Sequence, residues 1–254
     1  MGNNIKETFE KLKLEGKKAF IPYIMAGDES LIETKELIFT LEEYGASIIE
    51  IGIPFSDPVA DGKVIQDAGL RALAGKTNLR DIFRMVIEVR GKSHIPLVFM
   101  TYLNPLLQFG IDKFFAKCRE TSVEGVIIPD MPIEEWGIVY KEATLNNVAI
   151  IPLVAPNSGI DRIKLANEKG SGYIYTVTVA GVTGARAKVN CNLEALLKEV
   201  KDNSTIPVVA GFGISTHEQV VTIGGYCDGV VVGSKIVELY HNKDLSAIKK
   251  LING

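Results

Sequence analysis

The feature that most constrains the fold is an alternation. Eight short, β-branched apolar runs, at residues 19–25, 47–51, 95–101, 125–128, 149–154, 172–177, 206–210 and 229–232, are separated by stretches with helical spacing. Each run is almost free of polar residues, as a strand must be when both faces of its sheet are covered. Helical spacing marks 31–44, 63–74, 78–91, 111–121, 133–146, 161–168, 193–202 and 216–224. Eight strands alternating with helices can lie open as a doubly wound sheet or close into a barrel. Regular spacing over 254 residues favours closure and predicts an α/β chain, a single-domain (β/α)₈ TIM barrel spanning residues 1–254. An extra N-terminal helix, at 5–14, is expected to cover the bottom of the barrel.

Charge and composition remove several classes of function. The 28 basic and 31 acidic side chains are interspersed, so no basic stripe is available to a nucleic-acid backbone. Residues 1–18 lack the apolar core of a signal peptide, and no apolar run approaches the length of a membrane span, which predicts a cytoplasmic protein. Cys118, Cys191 and Cys227 are too far apart for a metal knuckle and odd in number, and are read as buried, inert thiols. His94, His217 and His241 fall at a strand entry or on helices, giving neither a metal site nor a Ser-His pair. No P-loop or dinucleotide fingerprint is present. Carboxylate chemistry without a cofactor is what remains.

Two carboxylates stand out. Glu50 interrupts the second apolar run, where it either pairs with a buried Arg or Lys or, unpaired, has a raised pKa that lets it deliver a proton near neutrality. Asp61 lies in the loop 53–62, shaped by Pro54 and Pro58; it either caps the following helix or forms a general acid–base pair with Glu50. Asp57, before Pro58, either starts a turn or carries function. Glycine-rich stretches at 181–184, 211–215 and 233–234 follow three late strands, and the last two lead into helices whose free N–H groups can hold an anion. A single Gly-x-Gly is most often only a turn. Three at consecutive rim positions point to a phosphate site, which barrels commonly build from the loops after strands seven and eight.

From about Ile21 to its end the chain resembles the tryptophan synthase α subunit family. The most specific motif is Glu50-Ile51-Gly52-Ile53-Pro54-Phe55-Ser56-Asp57-Pro58-Val59-Ala60-Asp61-Gly62, supported by 22–28, Tyr102-Leu103-Asn104-Pro105, Pro129-Asp130-Met131-Pro132, 180–184 and 211–215. The resemblance implies a retro-aldol lyase that cleaves indole-3-glycerol phosphate to indole and glyceraldehyde 3-phosphate. It implies proton transfer by Glu50, a hydrogen bond from the indole N–H to Asp61, and assistance from Tyr175. Thr183 would contact Asp61, and Gly184, Gly213, Gly233 and Ser234 would bind phosphate. Tyr23, Tyr102 and Ile128 would line the indole pocket. It further implies a β-subunit partner in an αββα complex, docking through Pro54, Asp57, Asn104 and Pro132, with pyridoxal phosphate only in that partner. Lys63 and Val179 depart from the pattern of some members without touching the carboxylates.

Overall fold

The computed structural model describes residues 4–177, 193–211 and 213–254. In chain order these form α1 (Asn4–Leu14), β1 (Ala19–Met25), α2 (Leu31–Glu43), β2 (Ile49–Gly52), α3 (Lys63–Ala74), α4 (Leu79–Arg90), β3 (Leu97–Met100), α5 (Leu103–Phe109), α6 (Ile111–Glu120) and β4 (Gly125–Ile127). A 3₁₀ turn (Ile133–Ile138) then leads into α7 (Tyr140–Leu145), β5 (Ala149–Ile150), β6 (Leu153–Val154), α8 (Ile160–Lys169) and β7 (Ile174–Val177). The chain finishes with α9 (Leu193–Asp202), β8 (Val208–Gly211), α10 (His217–Gly224), β9 (Gly229–Val232), α11 (Ser234–His241) and α12 (Leu245–Asn253).

All pairings are parallel, in the order β5-β4-β3-β2-β1-β9-β8-β7-β6. The two strands at the ends of that order are consecutive halves of one segment, 149–154. Ile151 N–H donates to the Val126 carbonyl at 3.0 Å on one side, and the Pro152 carbonyl accepts from Tyr175 N–H at 2.9 Å on the other. The sheet is therefore closed. A tilted barrel strand meets each neighbour along a different part of its length, which is why the fifth expected run appears as two short strands.

Alternation along the strands divides the apolar residues into two layers. Ile21, Tyr23, Met25, Val98, Ile127, Ile151, Tyr173, Tyr175, Val209 and Val231 fill the barrel interior. Ile24, Ile49, Ile51, Phe99, Val126, Ile174 and Val230 face outward under the helices. Each fully buried aliphatic side chain contributes about 1.5–3 kcal/mol relative to exposure. The expected N-terminal helix closes the bottom: Ile5 and Phe9 belong to the interior cluster, and the Phe9 and Tyr173 ring centroids are 5.9 Å apart. The strand C-termini point to the opposite end, where long connections are free to carry function.

Candidate active site

Glu50 occupies the middle of β2, aligned with Tyr23 of β1 and Val98 of β3. Its neighbours Ile49 and Ile51 point outward to the helices, so the period of two turns Glu50 into the barrel. It is 1% exposed, and the Tyr173 hydroxyl donates to Oε1 at 2.5 Å. Among the described residues no arginine or lysine forms an ion pair with it. Burial pushes its pKa up to about 8, opposed by the Tyr173 hydrogen bond.

Asp61 comes from the loop 53–62, which is fastened to the end of β3. Ile53 N–H donates to the Met100 carbonyl at 2.9 Å, and Ala60 N–H donates to the Tyr102 hydroxyl at 3.0 Å. Phe55 packs on the Tyr102 ring with centroids 5.4 Å apart. The N-cap of α3 is Gly62, with no side-chain capping bond. The Asp61 carboxylate is therefore not spent as a helix cap; its backbone carbonyl accepts from Gln66 Nε2 at 2.8 Å instead. Burial raises its pKa to about 6, opposed by the neighbouring Tyr102 hydroxyl.

Tyr23 and Tyr175 enclose the two acids. Burial, then the charges of Asp61, Tyr102, Glu50 and Tyr175, push the Tyr23 phenol well up; burial, then Glu50 and Asp61, do the same for Tyr175. Both rings rest on strand-end glycines. A Cβ on Gly52 would collide with the Tyr23 hydroxyl, and one on Gly211 with the Tyr175 hydroxyl. Tyr173, just before β7, was not singled out in the sequence, although its i, i+2 relation to Tyr175 turns both into the barrel interior, toward Glu50.

The two late helices differ at their N-termini. On α10, Thr216 and Gln219 form a capping box, and Gln219 Oε1 also accepts from Ser215 N–H at 2.8 Å, so that terminus is internally satisfied. On α11 the N-cap is Gly233, without a side-chain cap, and Ser234 is the first helical residue. Its first-turn N–H groups and positive dipole end are open to an anion. Gly213 has φ +78, a conformation that favours glycine. Thr183, Gly184, Val179 and Cys191 lie outside the described residues.

The remaining expected positions are spread around the rim. Pro54, Asp57 and Asn104 line one cleft of about 1030 Å³, together with Phe55, Arg84 and Pro105. Pro132 and Ile128 border a separate cleft of about 220 Å³. Ile128 packs in the outer layer, and Ile127 is the residue that faces the interior. Another cleft of about 1030 Å³ lies beside α1 at the opposite end and contains none of these residues. Among the described residues no cluster of His, Cys, Asp or Glu is arranged to hold a metal, and Cys118 and Cys227 are buried free thiols.

A family model described as tryptophan synthase alpha chain matches residues 9–253. The tryptophan synthase alpha chain of Bacillus mycoides (strain KBAB4) is 52% identical over 94% of this chain and 93% of its own length. That of Bacillus cereus (strain G9842) is 52% identical over 98% of this chain and 95% of its own. Among solved structures, a chain of the tryptophan synthase α₂β₂ complex from Pyrococcus furiosus superposes with a TM-score of 0.86 and 36% identity, covering 92% of this chain and 96% of that one. The tryptophan synthase alpha chain from Legionella pneumophila gives a TM-score of 0.89 at 35% identity, covering 99% and 95%.

Proposed function

The chain belongs to the tryptophan synthase alpha chain family, and from that premise we propose that its barrel mouth cleaves indole-3-glycerol phosphate to indole and glyceraldehyde 3-phosphate. The observation that carries this reading is a buried pair of carboxyls with separated acidities, Glu50 at about 8 and Asp61 at about 6, at the end of the barrel where such enzymes keep their chemistry.

At neutral pH Glu50 is protonated and Asp61 largely ionised. Glu50 delivers its proton to C3 of the indole ring, and Asp61 accepts a hydrogen bond from the ring N–H, stabilising the positive charge that develops. The Glu50 carboxylate then takes the proton of the side-chain hydroxyl on the carbon attached to C3. As that C–O becomes a carbonyl, the C–C bond breaks and its electron pair returns to the ring. Glu50 ends with its proton restored, and the products are indole and the aldehyde. Tyr175, held neutral, is a donor beside the reacting atoms. The open N-terminus of α11, with Gly233 and Ser234, holds the phosphate, and Gly213 and Gly184 are assigned to the same group. Thr183 is assigned contact with Asp61. Tyr102 is assigned to the indole side, and the inward-facing Ile127 takes the place expected of Ile128, which packs under the helices.

A tryptophan synthase β subunit is the partner, in an αββα assembly, with pyridoxal phosphate confined to that subunit. Exposed Val59 and Leu107 stand on the rim near Pro54, Asp57 and Asn104, and support this face as the docking surface, with Pro132 beside it. Among the described residues no helix is long and apolar enough to cross a membrane. We assign the chain to the cytoplasm and treat 1–254 as one domain.

The test is indole release from indole-3-glycerol phosphate by wild type and Glu50→Gln, with and without a β subunit. Wild-type release that the substitution lowers by roughly 10²-fold or more supports the reading. Release that survives Glu50→Gln unchanged overturns it.

A further inference from the structure

We propose that the Tyr23 hydroxyl is a specificity-determining hydrogen-bond group that reads the hydroxyls on the three-carbon chain of the substrate. The proposal rests on the lyase reading above and assigns this position a task different from forming an indole wall.

The geometry is that of a strut along the mouth of the barrel. At its near end, a Cβ on Gly233 would stand 3.6 Å from Tyr23 Cβ and 3.8 Å from its Cδ1, so the base of the side chain lies against the anion-binding turn of α11. At its far end, the hydroxyl and ring edge lie against Gly52, two residues beyond Glu50 on β2. Only a residue without a Cβ leaves that space. The side chain thus runs from the phosphate end to the carboxylate end, a span comparable to a three-carbon chain that carries phosphate at one end and the reacting carbon at the other. A substrate held at both ends lays its chain beside this ring.

The hydroxyl is available for that contact. Tyr23 is 4% exposed, and among the described residues its hydroxyl makes no hydrogen bond. Among the described residues the fully sealed side-chain atoms without a partner are Arg90 Nε and Thr176 Oγ1, and the Tyr23 oxygen is not one of them. It stands instead at the carboxylate end of the strut, against Gly52. Burial and the nearby Asp61 keep the phenol protonated, so it remains a donor wherever the enzyme works. Once ligand excludes water, a donor placed there without a partner is costly, and a ligand that supplies the partner is favoured over one that does not.

The test compares indole-3-glycerol phosphate with indole-3-propanol phosphate, the same skeleton with both chain hydroxyls replaced by hydrogen. Tyr23→Phe keeps the ring and loses only the oxygen. We expect it to raise KM for the substrate about three- to tenfold, the factor for one neutral hydrogen bond. The inhibition constant of the deoxy analogue should change less than about twofold, and the melting temperature should stay close to that of wild type. Equal weakening of both ligands would make the ring a packing element only, and no change in either would make the hydroxyl idle; both results overturn the proposal. Wild-type protein that releases no indole would instead sink the lyase reading, a separate outcome.

Discussion

Glu50 and Asp61 are the same functional group in two dielectric settings, and their acidities part because one is sealed in the barrel while the other sits on a loop at its lip. The charged form is disfavoured in proportion to lost solvation, so the sealed group holds its proton longer. If Glu50 must start protonated and Asp61 ionised, kcat/KM should fall below about pH 6 as Asp61 gains a proton, and above about pH 8 as Glu50 loses one. The two limbs belong to the pair as a whole where the groups interact. Tyr173 sharpens the expectation. Its hydroxyl donates to Glu50 and favours the carboxylate, so Tyr173→Phe should raise the Glu50 pKa and move the alkaline limb to higher pH, leaving the acid limb in place. A pH–rate profile of wild type and variant checks both limbs; an alkaline limb that moves downward, or does not move, would assign it to another group.

The helices α10 and α11 show how one local choice decides which element can meet a ligand. Thr216 and Gln219 fill the N-terminus of α10, whereas Gly233 leaves that of α11 open. Ser234→Glu separates fold from function at this point. A carboxylate in the first turn favours the helix dipole by about 0.3–1 kcal/mol, so thermal stability should hold or rise, while repulsion of the substrate phosphate should raise KM at least tenfold. Melting curves and steady-state kinetics would read the two signs independently, and an unchanged KM would remove the phosphate from α11. The open terminus was legible in Gly233-Ser234, as were the strands, because runs such as 229–232 are uniformly apolar. Helix α5 was not. Asn104-Pro105 reads locally as a turn, yet proline is tolerated in the first turn of a helix, and Leu103 N–H donates to the Asp130 carboxylate at 3.0 and 3.2 Å. That acceptor stands 27 positions away, beyond any local pattern. The Tyr173–Glu50 bond was hidden for the same reason, since it joins opposite walls of the barrel across 123 positions.

Taken whole, the molecule separates stability at one end from chemistry at the other. At the bottom, Glu124 Oε2 accepts from Leu97 N–H at 2.9 Å and from Arg90 Nη2 at 3.1 Å, while Oε1 accepts from Asn4 Nδ2 at 2.9 Å. Arg90 also donates to the carbonyls of Ser122 at 2.6 Å and Ile95 at 2.7 Å. These bonds tie α1, the end of α4 and the starts of β3 and β4 around one buried ion pair. Removing one partner of such a pair leaves the other charge buried, which costs about 3–5 kcal/mol, and a domain of this size loses about 2–4 °C of melting temperature per kcal/mol. Glu124→Ala should therefore melt roughly 6–20 °C below wild type. Because none of these bonds reaches Glu50, Asp61 or the α11 terminus, kcat/KM at 25 °C, well below the transition, should stay within about twofold. A variant that keeps its melting temperature but loses turnover would show that the base of the barrel reaches into the chemistry at its mouth, and the separation of the two ends would have to be abandoned.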